Sequence, residues 1–473
     1  MTPGSTALVD QLAEFTATTE YRQLPRAVVE ESKRLVLDSL GCMLAGTDEP
    51  KGRIGVDYGR TLGPGEATIV GTEHRAAPSG AAFANGELMS ALDFDPILPP
   101  GHVTPYVLPG ALAVAETAHC DGRALIEAIA LSHEISYRFG RSMDYVRDYT
   151  ADGTMRLSPV VGYASTIFGA TAALGKLQGA GGDVVANALG IAGCISPVNS
   201  HRTWMAHAPS TTIKYTLAGA LIQAAFTAAA MAALGHRGDR ALLDDRELGY
   251  ARFIGTTRWE PAALTDGLGT DWRFPAESSY KPYPHCRVLH GLLDGLADIV
   301  ETHDIKPDEI EHIAAWGEAW VEQPVWLNNR IEHVQDAQFS MAHGLAIGAQ
   351  RIPPSRAWQD PEVVFDPAVL ALMERTTFAP HPDYVAALER HPSSRPSRVA
   401  VTARGTTFTA ERDFPKGSPS PDPATYMTTD EIVAKFHVNA AALPVERRSE
   451  IVDKVLNLER VDDLAPLMRL LAA

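Results

Sequence analysis

Cysteine is scarce in this chain of 473 residues. There are four, Cys42, Cys120, Cys194 and Cys286, and no two are close in sequence. That spacing excludes a CxxC redox pair and a thiolate zinc site. It fits small buried hydrophobes in a reducing compartment. Several glycine and histidine motifs are also missing. There is no GxGxxG after a strand, no phosphate-binding P-loop, no GxSxG and no HExxH. Bound dinucleotide, bound ATP, a serine hydrolase elbow and a zinc peptidase therefore have no support. Positive charge is in deficit, with 41 Lys and Arg against 58 Asp and Glu, a net charge of −17. A nucleic-acid partner needs the opposite balance. A small anionic substrate does not, because a buried local cluster of Lys and Arg can hold one. The first residues, "MTPGSTALVDQLAEF", have no basic start and no apolar core. No signal peptide is expected, and the predicted location is cytoplasmic. One run, residues 215–234, has the length of a bilayer span. It is mostly alanine and carries Thr216, Gln223 and Thr227. A helix packed on all sides by other helices is expected there, and no membrane contact.

The composition that remains is ordinary for a globular protein, with 45% hydrophobic and 21% charged residues. The length predicts two domains or three. From the start to about residue 275 the patterning is helical. "LPRAVVEESKRLVLDSLGCMLAG" has Pro25 near its start and Gly46 after its end. "DGRALIEAIALSHEI" opens on a capping Asp121. "ATIVGT", 67–72, reads as a short extended piece. Near residue 275 the character changes. "FPAESSYKPYPHC" reads as a loop, "PDEIEHIAAW" as a strand, and "RVAVTARGTTFTAERDF" as a hairpin turning at Arg404–Gly405. After "SPSPDPATYMTTD" helix returns, with Thr428, Thr429 and Asp430 as caps. The predicted fold is mainly α. An all-helical domain takes residues 1–275 and 412–473, and a smaller α+β lid takes residues 276–411.

Chemistry is carried by a few polar groups in apolar settings. Asp93, Asp95 and His102 lie in a loop between two apolar runs, within "ALDFDPILPPGHVTPYVLPGALAVAE", 91–116. A carboxyl group beside apolar walls has its neutral form favoured, which suits a group that gives and takes a proton. Lys214 begins the most apolar helical stretch, where an ammonium is costly without an anionic partner. Lys281 lies in the Tyr-Lys-Pro-Tyr-Pro loop at the expected domain junction, a common place for a ligand cleft. Each also has a plain structural reading, as turn, cap or surface residue. His285 and His290 are five apart with no carboxylate at ligand spacing, so no metal site is expected.

Five segments, in order, are similar to segments of the MmgE/PrpD family: "AAFANGELMSALDFD", "GHVTPYVLPGALAVAE", "SYKPYPHCRVLHG", "DAQFSMAHGLAIG" and "FPKGSPSPDPATYMTTDEIVAKF". The resemblance implies a cofactor-free homodimeric enzyme acting on small polycarboxylates. Activities in that family include 2-methylcitrate dehydration, cis-aconitate decarboxylation and iminodisuccinate epimerisation. It places Asp93 and His102 in an acid/base loop and makes Lys214 and Lys281 carboxylate-binding lysines, with Asp95 orienting its neighbours. The departures are specific. Many members carry His-Pro-Thr-Gly where this chain reads "TMRLSPVVG", which puts Arg156 at the histidine position as a carboxylate clamp. His343 stands where many have tyrosine and is a third candidate for proton transfer. Asp95-Pro96 stands where the family has a double aspartate. The missing histidine argues against standard methylcitrate dehydratase or aconitate decarboxylase chemistry. The expected function is a lyase that moves a proton next to a carboxylate and loses water or CO2. An isomerase using the same proton transfer is the alternative, and a catalytically lapsed metabolite-binding member is a second.

Overall fold

The structure is a computed structural model that describes residues 6–197, 201–214 and 216–473. Helices dominate it. The expected element starts are where local chemistry puts them. Pro25 precedes the helix Arg26–Ala45, and Gly46 follows it. The Asp121 carboxylate accepts from the Ala124 N–H to open the helix Gly122–Ser142. Thr428 and Glu431 form a reciprocal capping box on the helix Thr429–Asn439. The expectation of an all-helical region before residue 275 needs one correction. Ala67–Thr68 pairs antiparallel with Arg75–Ala76. The apolar stretch after Lys214 also differs from expectation. It forms the helix Ala218–Ala233, whose Leu221, Ile222, Ala225, Ala228 and Ala229 are buried. Thr227, Ala230, Met231 and Ala233 are exposed, so one face is open. No helix among the described residues is long and apolar enough to cross a membrane.

The main sheet has four strands in the order Thr376–Pro380, Ile310–Gly317, Ser397–Ala403, Thr406–Arg412. The first pair is parallel and the other two are antiparallel. The hairpin turns at Arg404 and Gly405, with φ of 52° and 69°. Two consecutive left-handed residues are what a twisted two-residue hairpin needs. The helix His290–Thr302 lies on this sheet, where Gly291 and Gly295 allow close approach to Ser397 and Val399. The C-terminal helix Thr429–Asn439 returns to pack on Arg26–Ala45. There Lys435 Nζ lies 2.7 Å from the buried Asp38 carboxylate and donates to the Phe94 carbonyl at 2.8 Å. Replacing Lys435 by Met would leave the buried Asp38 carboxylate without its ammonium partner, a loss of about 3–5 kcal/mol. The double variant Asp38→Asn/Lys435→Met is expected to recover most of that. Thermal unfolding of both variants beside the parent measures it.

Candidate active site

The helix Pro78–Met89 runs into the loop that holds Asp93, and the helix Thr104–Thr117 leaves it just after His102. Asp93 has φ of 53°, a left-handed conformation that Asp tolerates better than most residues. The bend turns both its carbonyl and its carboxylate toward Lys281. The Lys281 ammonium donates to the carbonyl at 2.6 Å and lies 3.0 Å from Oδ2. Lys214 binds Oδ1 of the same carboxylate. His102 Nε2 lies 3.3 Å from that oxygen, and its Nδ1 is 2.6 Å from Asp95 Oδ2. Asp93, Asp95 and Lys281 are fully buried, and His102 and Lys214 nearly so.

Four successive carbonyls of this loop are each held by a side chain from far along the chain. Gln338 donates to Ala91 at 2.8 Å, and Gln359 to Leu92 at 3.2 Å. Lys281 takes Asp93, and Lys435 takes Phe94. Ile97 and Ser279 exchange both backbone hydrogen bonds at 2.9 Å, which fixes Lys281 relative to the loop. Sequence reasoning missed Gln359 and Lys435 as partners of the loop. Gln338 and Lys435 lay inside quoted motifs, and nothing local marked Gln359.

Electrostatics corrects one expectation. Burial alone would push the Asp93 carboxyl up, as its apolar setting suggested. Lys214, Lys281 and His102 more than offset that and hold it well below the usual carboxylate range. Asp93 is thus an anion, not a neutral acid. Asp95 behaves likewise: burial raises it, and the hydrogen bond with His102 together with Lys281 and Lys214 outweighs the burial. The His102 imidazole is displaced downward, by burial first and by the two lysines, against the upward pull of Asp95. An uncharged imidazole with one nitrogen fixed by a carboxylate is the arrangement of a general base.

The remaining predicted site residues lie elsewhere. His343 is buried on the helix Met341–Ala349, with Nε2 at 2.9 Å from the Val364 carbonyl. It sits beside His285, which in turn feels the Asp93 charge. Arg156 is not brought to the cluster. Its half-exposed guanidinium bonds Thr257 Oγ1 and lies 3.7 Å from the buried Asp144 carboxylate. Asp144 also accepts from the Thr257 N–H and hydroxyl and from the Arg258 N–H, and it holds the arginine at that loop. Lys214 precedes its helix by four residues and does not begin it.

Asp93, Asp95 and His102 each present a ligand atom, all within 4.8 Å of one another. That spacing could span a metal ion. Lys214 and Lys281 already neutralise Asp93, and a cation there would meet two ammonium groups at contact range. The donor set favours an anion's neighbourhood over a metal's.

A buried acid–base pair facing fixed cations is the equipment of an enzyme that moves protons on an anion. The comparisons agree in kind. The chain belongs to the MmgE/PrpD family: the N-terminal domain of that family matches residues 10–262 and the C-terminal domain residues 283–458. It is similar to the cis-aconitate decarboxylase of Homo sapiens, 26% identical over 472 residues covering 94% of this chain and 90% of that protein. It is similar to the cis-aconitate decarboxylase of Aspergillus terreus, 23% identical over 507 residues, with 99% and 96% covered. The cis-aconitate decarboxylase-like protein oryM of Aspergillus oryzae is 23% identical over 489 residues, with 98% and 96% covered.

The depressed His102 imidazole gives a prediction independent of substrate. By histidine NMR, with His102→Gln to assign the signal, it titrates below the ordinary 6.5. Asp95→Asn removes the carboxylate held by Nδ1 and moves the titration lower still. A movement upward would contradict the charge assignment.

Proposed function

We infer that this protein is a cofactor-independent lyase of a small di- or tricarboxylate, and that decarboxylation of a cis-aconitate-like tricarboxylate is its reaction. The observation that carries this is the convergence of Lys214 and Lys281 on the buried Asp93–His102–Asp95 cluster. The names of the relatives favour loss of CO2 over loss of water, and they outweigh the missing histidine that argued against such chemistry. When CO2 leaves, the electron pair of the broken C–C bond passes to carbon conjugated with a retained carboxylate, and one proton fills it. Two ammonium groups in a buried site hold that charge far better than solvent would. His102, oriented by Asp95, is the group placed to move the proton. Asp93 sets the lysines and balances them before the anion arrives. Arg156 has no part in this reading, and His343 supports the site through His285. In the same reading residues 276–411 form a lid over the helical remainder. The open face of Ala218–Ala233, with the exposed Ile54, Tyr58 and Ile213 nearby, is the contact of a homodimer.

Proton NMR in deuterated water with a panel of di- and tricarboxylates tests the assignment. Loss of CO2 with one deuteron in the product is expected. Exchange or inversion alone would make the protein an isomerase, and silence across the panel would refute the reading. Chelation is expected to leave turnover unchanged. Asp93→Asn is expected to lower kcat by roughly 10²-fold or more, because it disturbs the charges that meet the transition state. Lys281→Ala is expected to raise KM as well, since it also removes charge that grips the ground state.

A further inference from the structure

The ring contacts near Asp93 close into a circuit. His102 stacks on Tyr163 with centroids 6.4 Å apart, and Tyr163 meets His201 at 5.4 Å. His201 meets Trp204 at 6.1 Å, and Trp204 meets Phe339 edge-on at 4.8 Å. Lys214 Nζ lies 5.7 Å over the Phe339 ring and binds Asp93, beside His102 again. Five aromatic or imidazole rings and one ion pair thus form a closed ring of contacts that begins and ends at His102. Within this circuit Tyr163 is placed by a second, independent constraint. A Cβ on Gly101, the residue before His102, would fall 2.4 Å from the Tyr163 hydroxyl oxygen. The phenol end is therefore packed against the backbone of the acid–base loop, and only glycine fits there. Burial pushes the Tyr163 phenol well above its ordinary range, with Tyr106, Tyr145, Cys286 and Asp93 adding to it. It is an uncharged, proton-bearing donor beside a cluster whose charged donors are lysines.

We propose that the Tyr163 hydroxyl is a further catalytic group, a hydrogen-bond donor to the carboxylate oxygen on which negative charge gathers during the reaction. Its O–H bond stays intact; it stabilises charge and transfers no proton. The proposal rests on the lyase reading for its natural reaction but not for its test. Tyr163→Phe keeps the ring against Gly101 and His201 and removes only the hydroxyl. It is expected to lower kcat by about 10²-fold while KM stays within about twofold, the pattern of an interaction made only in the transition state. The second measurement needs no turnover. The nitronate of 3-nitropropionate mimics an electron pair delocalised next to a carboxylate, and succinate carries no such charge. Calorimetric titration of the parent is expected to favour the nitronate over succinate. Tyr163→Phe is expected to lose about tenfold in nitronate binding and to leave succinate within about twofold. No nitronate preference in the parent, or an unchanged preference in Tyr163→Phe, overturns the proposal. A parent that prefers the nitronate but turns over none of the panel removes the lyase reading and leaves the role of Tyr163 standing.

Discussion

A carboxylate shut away from water stays charged only if cations replace the water, and Asp93 depends on that exchange. Its burial works against ionisation, and the contacts with Lys214 and Lys281 reverse the outcome. The dependence runs both ways. Each lysine is itself buried, and neither position is tolerable without the anion between them. Three chain segments, around residues 93, 214 and 281, are thereby committed to one point. The rest of the architecture is the means of bringing them there. The helix Pro78–Met89 presents the loop, the Ile97–Ser279 bridge sets the register of Lys281, and Lys435 ties the loop to the C-terminal helix.

The held carbonyls show how a loop becomes a rigid site. A loop without ladder partners leaves its backbone acceptors unmet, and burial makes that costly. Here the Ala91, Leu92, Asp93 and Phe94 carbonyls are met by two glutamines and two lysines. Every one of those donors lies after residue 280. The acid–base loop of the first half of the chain is therefore finished by the second half, and the two family domains matched by the chain are joined in chemistry as well as in sequence.

The sequence made part of this legible. Asp93, His102, Lys214 and Lys281 are charged or titratable residues in apolar surroundings, and such residues need partners, so their convergence follows from what burial costs. The hairpin at Arg404–Gly405 was readable because its turn is local. Other features depend on partners that no local pattern names. Arg156 had the right chemistry for a clamp, but its position is decided by Asp144 and Thr257 across the fold. The strand Thr376–Pro380 pairs in parallel with Ile310–Gly317, and parallel partners are distant in sequence by construction. The ionisation of Asp93 was misread for the same reason: the apolar walls are written beside it, and the two lysines are not.

The charge balance of the cluster bears on how an anion would be received. Two carboxylates, two ammonium groups and an uncharged imidazole sum to zero, so the resting cluster has no net charge to draw an anion inward. An incoming carboxylate gains only by taking lysine contacts that Asp93 now makes. That exchange is nearly even for one carboxylate, because like replaces like. It becomes favourable when the ligand brings further contacts, from a second carboxylate or from the neighbouring rings. A site built in this way selects against simple monocarboxylates without any group that repels them. It also keeps its cations aligned before the ligand comes, so no reorganisation is left for the moment when charge develops.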